Sequence, residues 1–194
     1  TRRENHQNMQ VIDALLQRRS ARALTTPAPD AAALELIFAS AAAAPDHGRL
    51  RPWRFIAIQG EGLGRFGDLL ADHLRRAHPS STEETLQRAR HKAFRAPLIL
   101  VVAAICTPGG KIPVIEQILS AGAAAQNVML AAPALGFHSM WKTGGPAYDD
   151  HVKTALGLDA KDAIVGFIYL GTDASKPDRV QRPAWRDLVR HWER

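Results

Sequence analysis

The chain has 194 residues and a mass of 21.2 kDa, of which 46% are hydrophobic and 23% charged. At about 150 residues per domain this is one domain, with a globular composition that argues against disorder and a length that supports a core without staples. A single cysteine excludes an internal disulfide and argues against a cysteine-based zinc site, while a formal charge of +6 suits anionic partners without naming one.

Residues 1–8 are polar and carry no apolar stretch, so they do not read as a secretory signal. Met9 is a candidate start, with residues 1–8 as an extension or a cloning remnant and residues 9–194 as the domain. Residues 9–17 put Val11, Ile12, Leu15 and Leu16 on one helical face. The basic run Arg18-Arg19-Ser20-Ala21-Arg22 follows. Asp30 is the expected N-cap of a helix over residues 31–44, which Pro45 stops. A loop leads into a strand at 53–58, and Gly60 to Gly64 turn the chain into a helix ending near Ala77. Ser81 or Thr82 caps the next helix, through about Phe94. The unbroken apolar run 98–105 is the mark of a strand buried on both faces.

A long helix is expected over 113–135, ended by Gly136, then an extended segment at 137–143. The stretch 117–141 has no Asp, Glu, Lys or Arg, but its Ala, Gly, Gln, Asn and Pro content reads as a buried helix and strand rather than a membrane span. Asp149 or Asp150 starts a short helix closed by Gly157, and 163–170 is the last clear strand. Trp185, Leu188, Val189 and Trp192 recur at helical spacing near the end. The pattern is mixed α/β with at least four strands around one Ala-rich helix.

Several motifs carry more than one reading. Gly62-Leu63-Gly64-Arg65-Phe66-Gly67 fits a dinucleotide fingerprint in spacing, but no second strand with a terminal acid follows, so it reads instead as a glycine-rich turn into a surface helix. Arg18, Arg19, Ser20 and Arg22 are either a solvated helix end or a phosphate clamp of guanidinium forks and a hydroxyl. Ala44-Pro45-Asp46-His47 with Pro52-Trp53 makes a shaped loop whose His47 has no second metal ligand at useful spacing. Trp141-Lys142-Thr143-Gly144 could be a plain strand and turn, or could present backbone N–H groups to a flat ring. Cys106 reads as a core residue at a strand end. No Ser-His-Asp order, nucleophile elbow or Walker A loop is present.

Taken in order, Arg18-Arg19-Ser20-Ala21-Arg22, Ala44-Pro45-Asp46-His47 with Pro52-Trp53, Ser120-Ala121-Gly122, Trp141-Lys142-Thr143 and Ile164-Val165-Gly166-Phe167-Ile168-Tyr169-Leu170-Gly171-Thr172 resemble the flavin-dependent nitroreductase family, closest to its short bacterial branch. The likeness runs from about Met9 to Thr172. It implies an α+β fold with a central mixed or antiparallel sheet flanked by helices. It also implies an intertwined homodimer with two FMN sites at the interface.

By that resemblance Arg18, Arg19 and Ser20 hold the FMN phosphate and ribityl chain, and Arg22 sits near the N1/C2=O edge of the ring. Ala43 stands where some relatives carry an Arg, and His47 reaches the flavin from the partner subunit. Trp141, Lys142 and Thr143 contact the ring, partly through backbone. Ala131, Ala132, Pro133, Ala134, Leu135 and Gly136 align with the stretch assigned to the pyridine nucleotide, NADH or NADPH. Arg51 replaces a Gln common before Pro-Trp, which bears on substrate preference. The implied activity passes hydride from NAD(P)H through FMN to a nitroaromatic, quinone or similar small-molecule acceptor by a ping-pong scheme. Reduction places negative charge near N1 and O2 of the ring, which Arg22 with Lys142 would stabilise.

The run of small residues at 120–125, in an uncharged helix, is expected to pack against a second copy. Two alternatives stand beside this reading. One is a flavin carrier or flavin-modifying protein with little turnover. The other is a basic nucleic-acid-binding protein, for which Arg186, Arg190 and Arg194 form a helical stripe but no nucleic-acid motif appears. No metal, membrane or nucleic-acid partner is expected, and the expected location is the cytoplasm.

Overall fold

The apolar run in the middle of the chain forms strand β3 (Leu98–Ala104), and every one of its residues is buried. A strand hides both faces only between two layers. The computed structural model describes residues 11–175 and 181–192, and residues 1–8, Met9 and Arg194 lie outside the described residues. Around β3 the described residues supply β1 (Leu24–Thr25), β2 (Trp53–Gln59), β4 (His138–Lys142) and β5 (Ala163–Asp173), with helices α1 (Val11–Gln17), α2 (Ala31–Ala42), α3 (Glu61–Ala77), α4 (Glu83–His91), α5 (Val114–Ala134) and α6 (Asp150–Ala155).

β3 pairs antiparallel with β2 along one edge and with β5 along the other. β5 also pairs antiparallel with β4, from His138↔Gly171 to Lys142↔Phe167, and with the short β1 at Leu24↔Asp173. Alternate side chains then go to opposite layers. Ile99, Val101, Phe167 and Tyr169 meet Leu63, Phe66 and Leu70 of α3. Leu98, Leu100, Ile168 and Leu170 meet Ile37 and Ala41 of α2 and Ala124, Ala125 and Val128 of α5. The result is an α+β sandwich with helices on both faces of an antiparallel sheet.

The expected caps are made. Asp30 accepts from Ala33 N at 2.9 Å, Thr82 from Thr85 N at 3.3 Å, and Asp149 from His151 N at 2.7 Å and Val152 N at 3.3 Å. The few polar groups of α5 close neighbouring loops: Gln117 bonds Thr107 N, Thr107 O and Ile112 O, Ser120 donates to Pro45 O, and Asn127 donates to Ser40 O. Cys106 is buried just past β3, as expected, and its N–H donates to the buried Asp162 at 2.9 Å.

Four expectations change. Gly62, Gly64 and Gly67 lie inside α3 rather than in a loop, and a Cβ on Gly67 would stand 2.8 Å from Arg90 O. The G-x-G-x-x-G run therefore serves close packing of α3 on the α4 side and is not a dinucleotide fingerprint. Ser120, Ala121, Ala124 and Ala125 are buried within their own chain, while Gly122 and Ala123 stay half-exposed, so only those two of the small-residue run are left for a second copy to cover. Trp185, Leu188, Val189 and Trp192 form no continuous helix; only a single 3-10 turn, Trp185–Leu188, exists and all four side chains are exposed. Without a core surface to lie on, apolar spacing alone does not make a helix, and the stripe of Arg186 and Arg190 loses its helical basis with it. Finally, α4 stops at His91 and gives way to a 3-10 turn, Lys92–Arg95, before Pro97.

The end of β5 is closed by charge. Arg19 Nη2 lies 2.5 Å from Asp173 Oδ2, and Ser175 donates to Asp173 Oδ1 through its N–H at 2.9 Å and its hydroxyl at 2.6 Å. Burial alone would raise the Asp173 carboxyl, but the Ser175 bonds and the Arg19 guanidinium outweigh it and hold it below its ordinary value. His138 lies in this corner with a buried Nδ1 that has no hydrogen-bond partner among the described residues. Burial pushes its imidazole below 6.5, with Asp173 opposing and Arg19 adding to the shift.

On the opposite layer, Trp141 lies across β5 and donates to Val165 O at 3.2 Å, and a Cβ on Gly166 would collide with its indole. Gly166→Ala is expected to destabilise the fold by about 1–3 kcal/mol, the range for overpacking, read from the urea midpoint. A histidine that titrates near 6.5 when unfolded but is held neutral when folded stabilises the fold above that pH and stops doing so as the pH falls. The urea midpoint should therefore fall between about pH 7 and pH 5. His138→Phe should flatten part of that slope, and an unaltered slope would show that His138 is not the group responsible.

Candidate functional site

Past α1 the chain runs alongside β4. Ala21 is buried and its N–H donates to Ser139 O at 3.0 Å, which fixes the backbone on either side of Arg22. Along β4 the side chains alternate: Met140 packs with the α3 layer and Trp141 with the α5 layer, so Lys142 returns to the α3 side. Arg22 and Lys142, distant in sequence, thereby line one cleft of 330 Å³ with Phe94, Arg95, Met140 and Tyr169. A second hollow of 220 Å³ shares Arg95, Lys142 and Tyr169 with it, and adds Lys92 and residues 143–146.

Four cations, Arg22, Lys92, Arg95 and Lys142, line these two hollows, and neither lining contains an Asp or Glu. Burial pushes the Tyr169 phenol up, with Arg95 opposing, so it is a neutral hydrogen-bonding group at this wall at physiological pH. A larger hollow of 620 Å³ between β2, α3 and α6 mixes Arg65 with Asp68 and Asp72 and contains none of the residues named for the flavin or the pyridine nucleotide. The cationic cleft is thus the better site on chemistry, although it is not the larger.

The basic run is drawn together with an unforeseen partner. Arg18 is half-buried and Ser20 exposed, while Arg19 is committed to Asp173. Arg182 from the C-terminal segment donates through Nη2 to Arg18 O and, at 3.4 Å, to Leu16 O. Two carbonyls at the end of a helix are natural acceptors for a guanidinium. Arg182, like Lys92 and Arg95, was missed by sequence reasoning. A basic residue in a polar tail or a 3-10 turn has no periodicity that reveals its neighbours.

Other candidates lie elsewhere. His47 sits in a 3-10 turn, His47–Arg49, with Nδ1 2.5 Å from Glu116 Oε2 at the start of α5. Ala43 is the exposed C-cap of α2. Neither lines the cationic cleft within one chain. The loop that carries His47 holds two non-glycine residues in the left-handed region, Arg49 at φ 56° and Arg51 at φ 50°, which is a costly backbone for an exposed loop. Asp46 steadies it by accepting from Arg51 N at 2.7 Å. Trp141 faces away from the cleft, so only its backbone is available on the Lys142 side. Of residues 131–136, Ala132 is fully buried, and Leu135 N and Gly136 N are already bonded to carbonyls of the last turn of α5. None of the six lines the cleft.

Comparison with known proteins agrees with this fold. The nitroreductase family model matches residues 15–172. "Putative NAD(P)H nitroreductase YdjA" of Escherichia coli is 40% identical over 168 residues, spanning 87% of this chain and 91% of that protein. A "Putative NAD(P)H nitroreductase" of Haemophilus influenzae is 37% identical over 172 residues, spanning 88% and 92%. Among solved structures, a nitroreductase-like family protein from Bacillus cereus has a TM-score of 0.80 at 25% identity, covering 95% of this chain and 96% of that one. A structure described as a "putative nitroreductase in complex with fmn" from Desulfovibrio desulfuricans has a TM-score of 0.72 at 27% identity, covering 94% and 96%. With the family pattern running through most of the chain and the same architecture around its sheet, this protein belongs to the nitroreductase family.

Proposed function

We propose that the protein is an FMN-dependent oxidoreductase that takes hydride from NAD(P)H and delivers it to a nitroaromatic, quinone or similar small acceptor, each substrate visiting the same cleft in turn. The observation that carries this reading is the cleft wall itself: Arg22, Lys92, Arg95 and Lys142 with no carboxylate among its lining residues. Such a wall suits a flat ring that becomes negatively charged, because a cation stabilises new negative charge most where water is restricted. The FMN-bound relative supports the same cofactor here. No metal-binding group of three or more His, Cys, Asp or Glu occurs among the described residues, and no helix there is long and apolar enough to cross a membrane.

FMN supplies the hydride-accepting and hydride-donating atom, and the chain does the rest. Arg18 and Ser20 hold the phosphate, and Arg182 braces the loop that carries them. Arg19 contributes through its remaining donors, since a guanidinium has five and Asp173 occupies one side. Arg22, Lys142 and Arg95 put positive charge along the edge of the ring, and the backbone at Trp141, Lys142 and Thr143 lies against it. Within residues 131–136 Ala134 and Gly136 are exposed, so these two offer the surface to NAD(P)H there.

His47 and Ala43 join the site in a homodimer. The apolar side chains Val11, Ile12, Leu15 and Leu16 of α1 are 42–70% exposed, and Ile115 and Leu119 of α5 are 59% and 63% exposed. A cluster of that kind marks a surface meant to be covered. A second copy seated on α1 and the outer face of α5 would bury it and bring the neighbouring His47 loop to the other chain's cleft.

The purified protein should show the visible absorption of bound flavin, or gain it on addition of FMN. It should then oxidise NAD(P)H steadily with a quinone or nitroarene. A flavin-bearing protein with no such turnover would be a carrier instead. Arg18→Ala with Ser20→Ala removes two charge-assisted contacts to phosphate and should weaken FMN binding by about 10- to 100-fold; unchanged affinity would contradict the phosphate assignment. Leu119→Asp should shift sedimentation from dimer to monomer and lower FMN affinity together.

A further inference from the structure

The loop after β4, residues 143–146, lines the cationic hollow beside Lys92, Arg95 and Lys142. Gly145 and Pro146 also border an adjoining 250 Å³ hollow with His73 of α3, which shares Leu70 and Lys92 with the first. His73 is mostly buried, and its Nδ1 lies 2.5 Å from Asp149 Oδ2. Asp149 is also the N-cap of α6, where it accepts from His151 N and Val152 N. Burial alone would raise its carboxyl, but the His73 hydrogen bond and these two amides outweigh that and hold it below its ordinary value. The exchange is reciprocal, because His151 Nε2 lies 3.1 Å from Asp72 Oδ2, the residue before His73. Two His–Asp contacts therefore tie α3 to the start of α6.

The loop between β4 and α6 has little freedom left. Its first end is fixed by the pairing of Lys142 with Phe167, and its far end by Asp149. Gly144 has φ 112°, which a side chain rarely tolerates. A Cβ on Gly145 would stand 2.7 Å from His73 Nε2, so the imidazole edge itself is packed against the loop backbone.

We propose that His73 is a positioning residue for the flavin cleft: through Asp149 and by direct contact with Gly145 it sets the backbone of residues 143–146 against the ring. This rests on the reading that the cleft takes FMN. His73 does not line the hollow it shapes. It acts from the adjoining hollow, through the Asp149 bond and its contact with Gly145.

The test compares His73→Ala, His73→Asn and Gly145→Ala with the wild type, each as purified holoprotein, for FMN dissociation constant, visible flavin spectrum and thermal midpoint. His73→Ala should weaken FMN binding by about tenfold, as expected for loss of a charge-assisted hydrogen bond, and should shift the flavin bands. His73→Asn places an amide N–H near the former Nδ1 and should return affinity to within about twofold of wild type. Gly145→Ala, which keeps the Asp149 bond but crowds the imidazole, should shift the spectrum in the same direction as His73→Ala. A His73→Ala protein that melts earlier yet binds FMN within about twofold, with unchanged bands, would overturn the proposal and leave His73 a structural residue. Equal impairment of the Ala and Asn variants would overturn it too. Should His73→Ala fail to fold, wild-type affinity and spectrum in Gly145→Ala would have the same force. A wild type that takes up no FMN would instead sink the reading of the cleft, and this proposal with it.

Discussion

Strand β5 hydrogen-bonds to β3, β4 and β1, and all three pairings are antiparallel. Lys142 and Tyr169 are placed directly by those ladders, and the other cleft residues lie in segments tied beside them. Pairing with β4 brings Lys142 level with Phe167, and the Ala21 bond to Ser139 lays the basic run beside the same strand. Pairing with β3 sets the Lys92–Arg95 turn at the entry to the sheet. Residues from the beginning, middle and end of the sequence converge because one long strand serves as their common ruler. Side-chain alternation then decides which of them face the cleft and which, like Trp141, join the opposite core.

The electrostatics follow a division of labour. In the corner behind the cleft, charges neutralise each other: Arg19 meets Asp173, and His138 is kept uncharged by burial. In the cleft, cations stand without carboxylates among the lining residues. Concentrating like charge costs folding free energy unless a ligand offsets it. Four cations around two adjoining hollows fit the negatively charged cofactor proposed for them.

Much of the architecture was legible because it rests on short-range chemistry. Asp30, Thr82 and Asp149 are helix caps in sequence and in structure, and the unbroken run at β3 announced a strand covered on both sides. What could not be read depends on the far side of a contact. The two-residue β1 has no pattern of its own and exists through its pairing with β5. The small residues of α5 looked suited to a second copy, but α2 and the sheet cover Ala124 and Ala125, and the exposed Ile115 and Leu119 with the half-exposed Gly122 form the outer face. Trp185 to Trp192 kept helical spacing with nothing to pack on. Of the cleft's cations, Arg22 and Lys142 were named from the sequence, while Lys92 and Arg95 lie in a turn whose neighbours only the fold reveals, as does Arg182 in the tail beside Arg18. His47 and Ala43 were named from resemblance, and one chain alone does not bring them to the cleft.

The anchorage of Trp141 also has an optical consequence. Its indole is held on Val165 O and against Gly166, one residue before Lys142, whereas Trp185 and Trp192 stand in solvent. An emitter so immobilised beside the cleft is a natural energy donor to any chromophore that absorbs in the near ultraviolet and blue. Flavin held in that cleft would dim this tryptophan before the exposed Trp185 and Trp192.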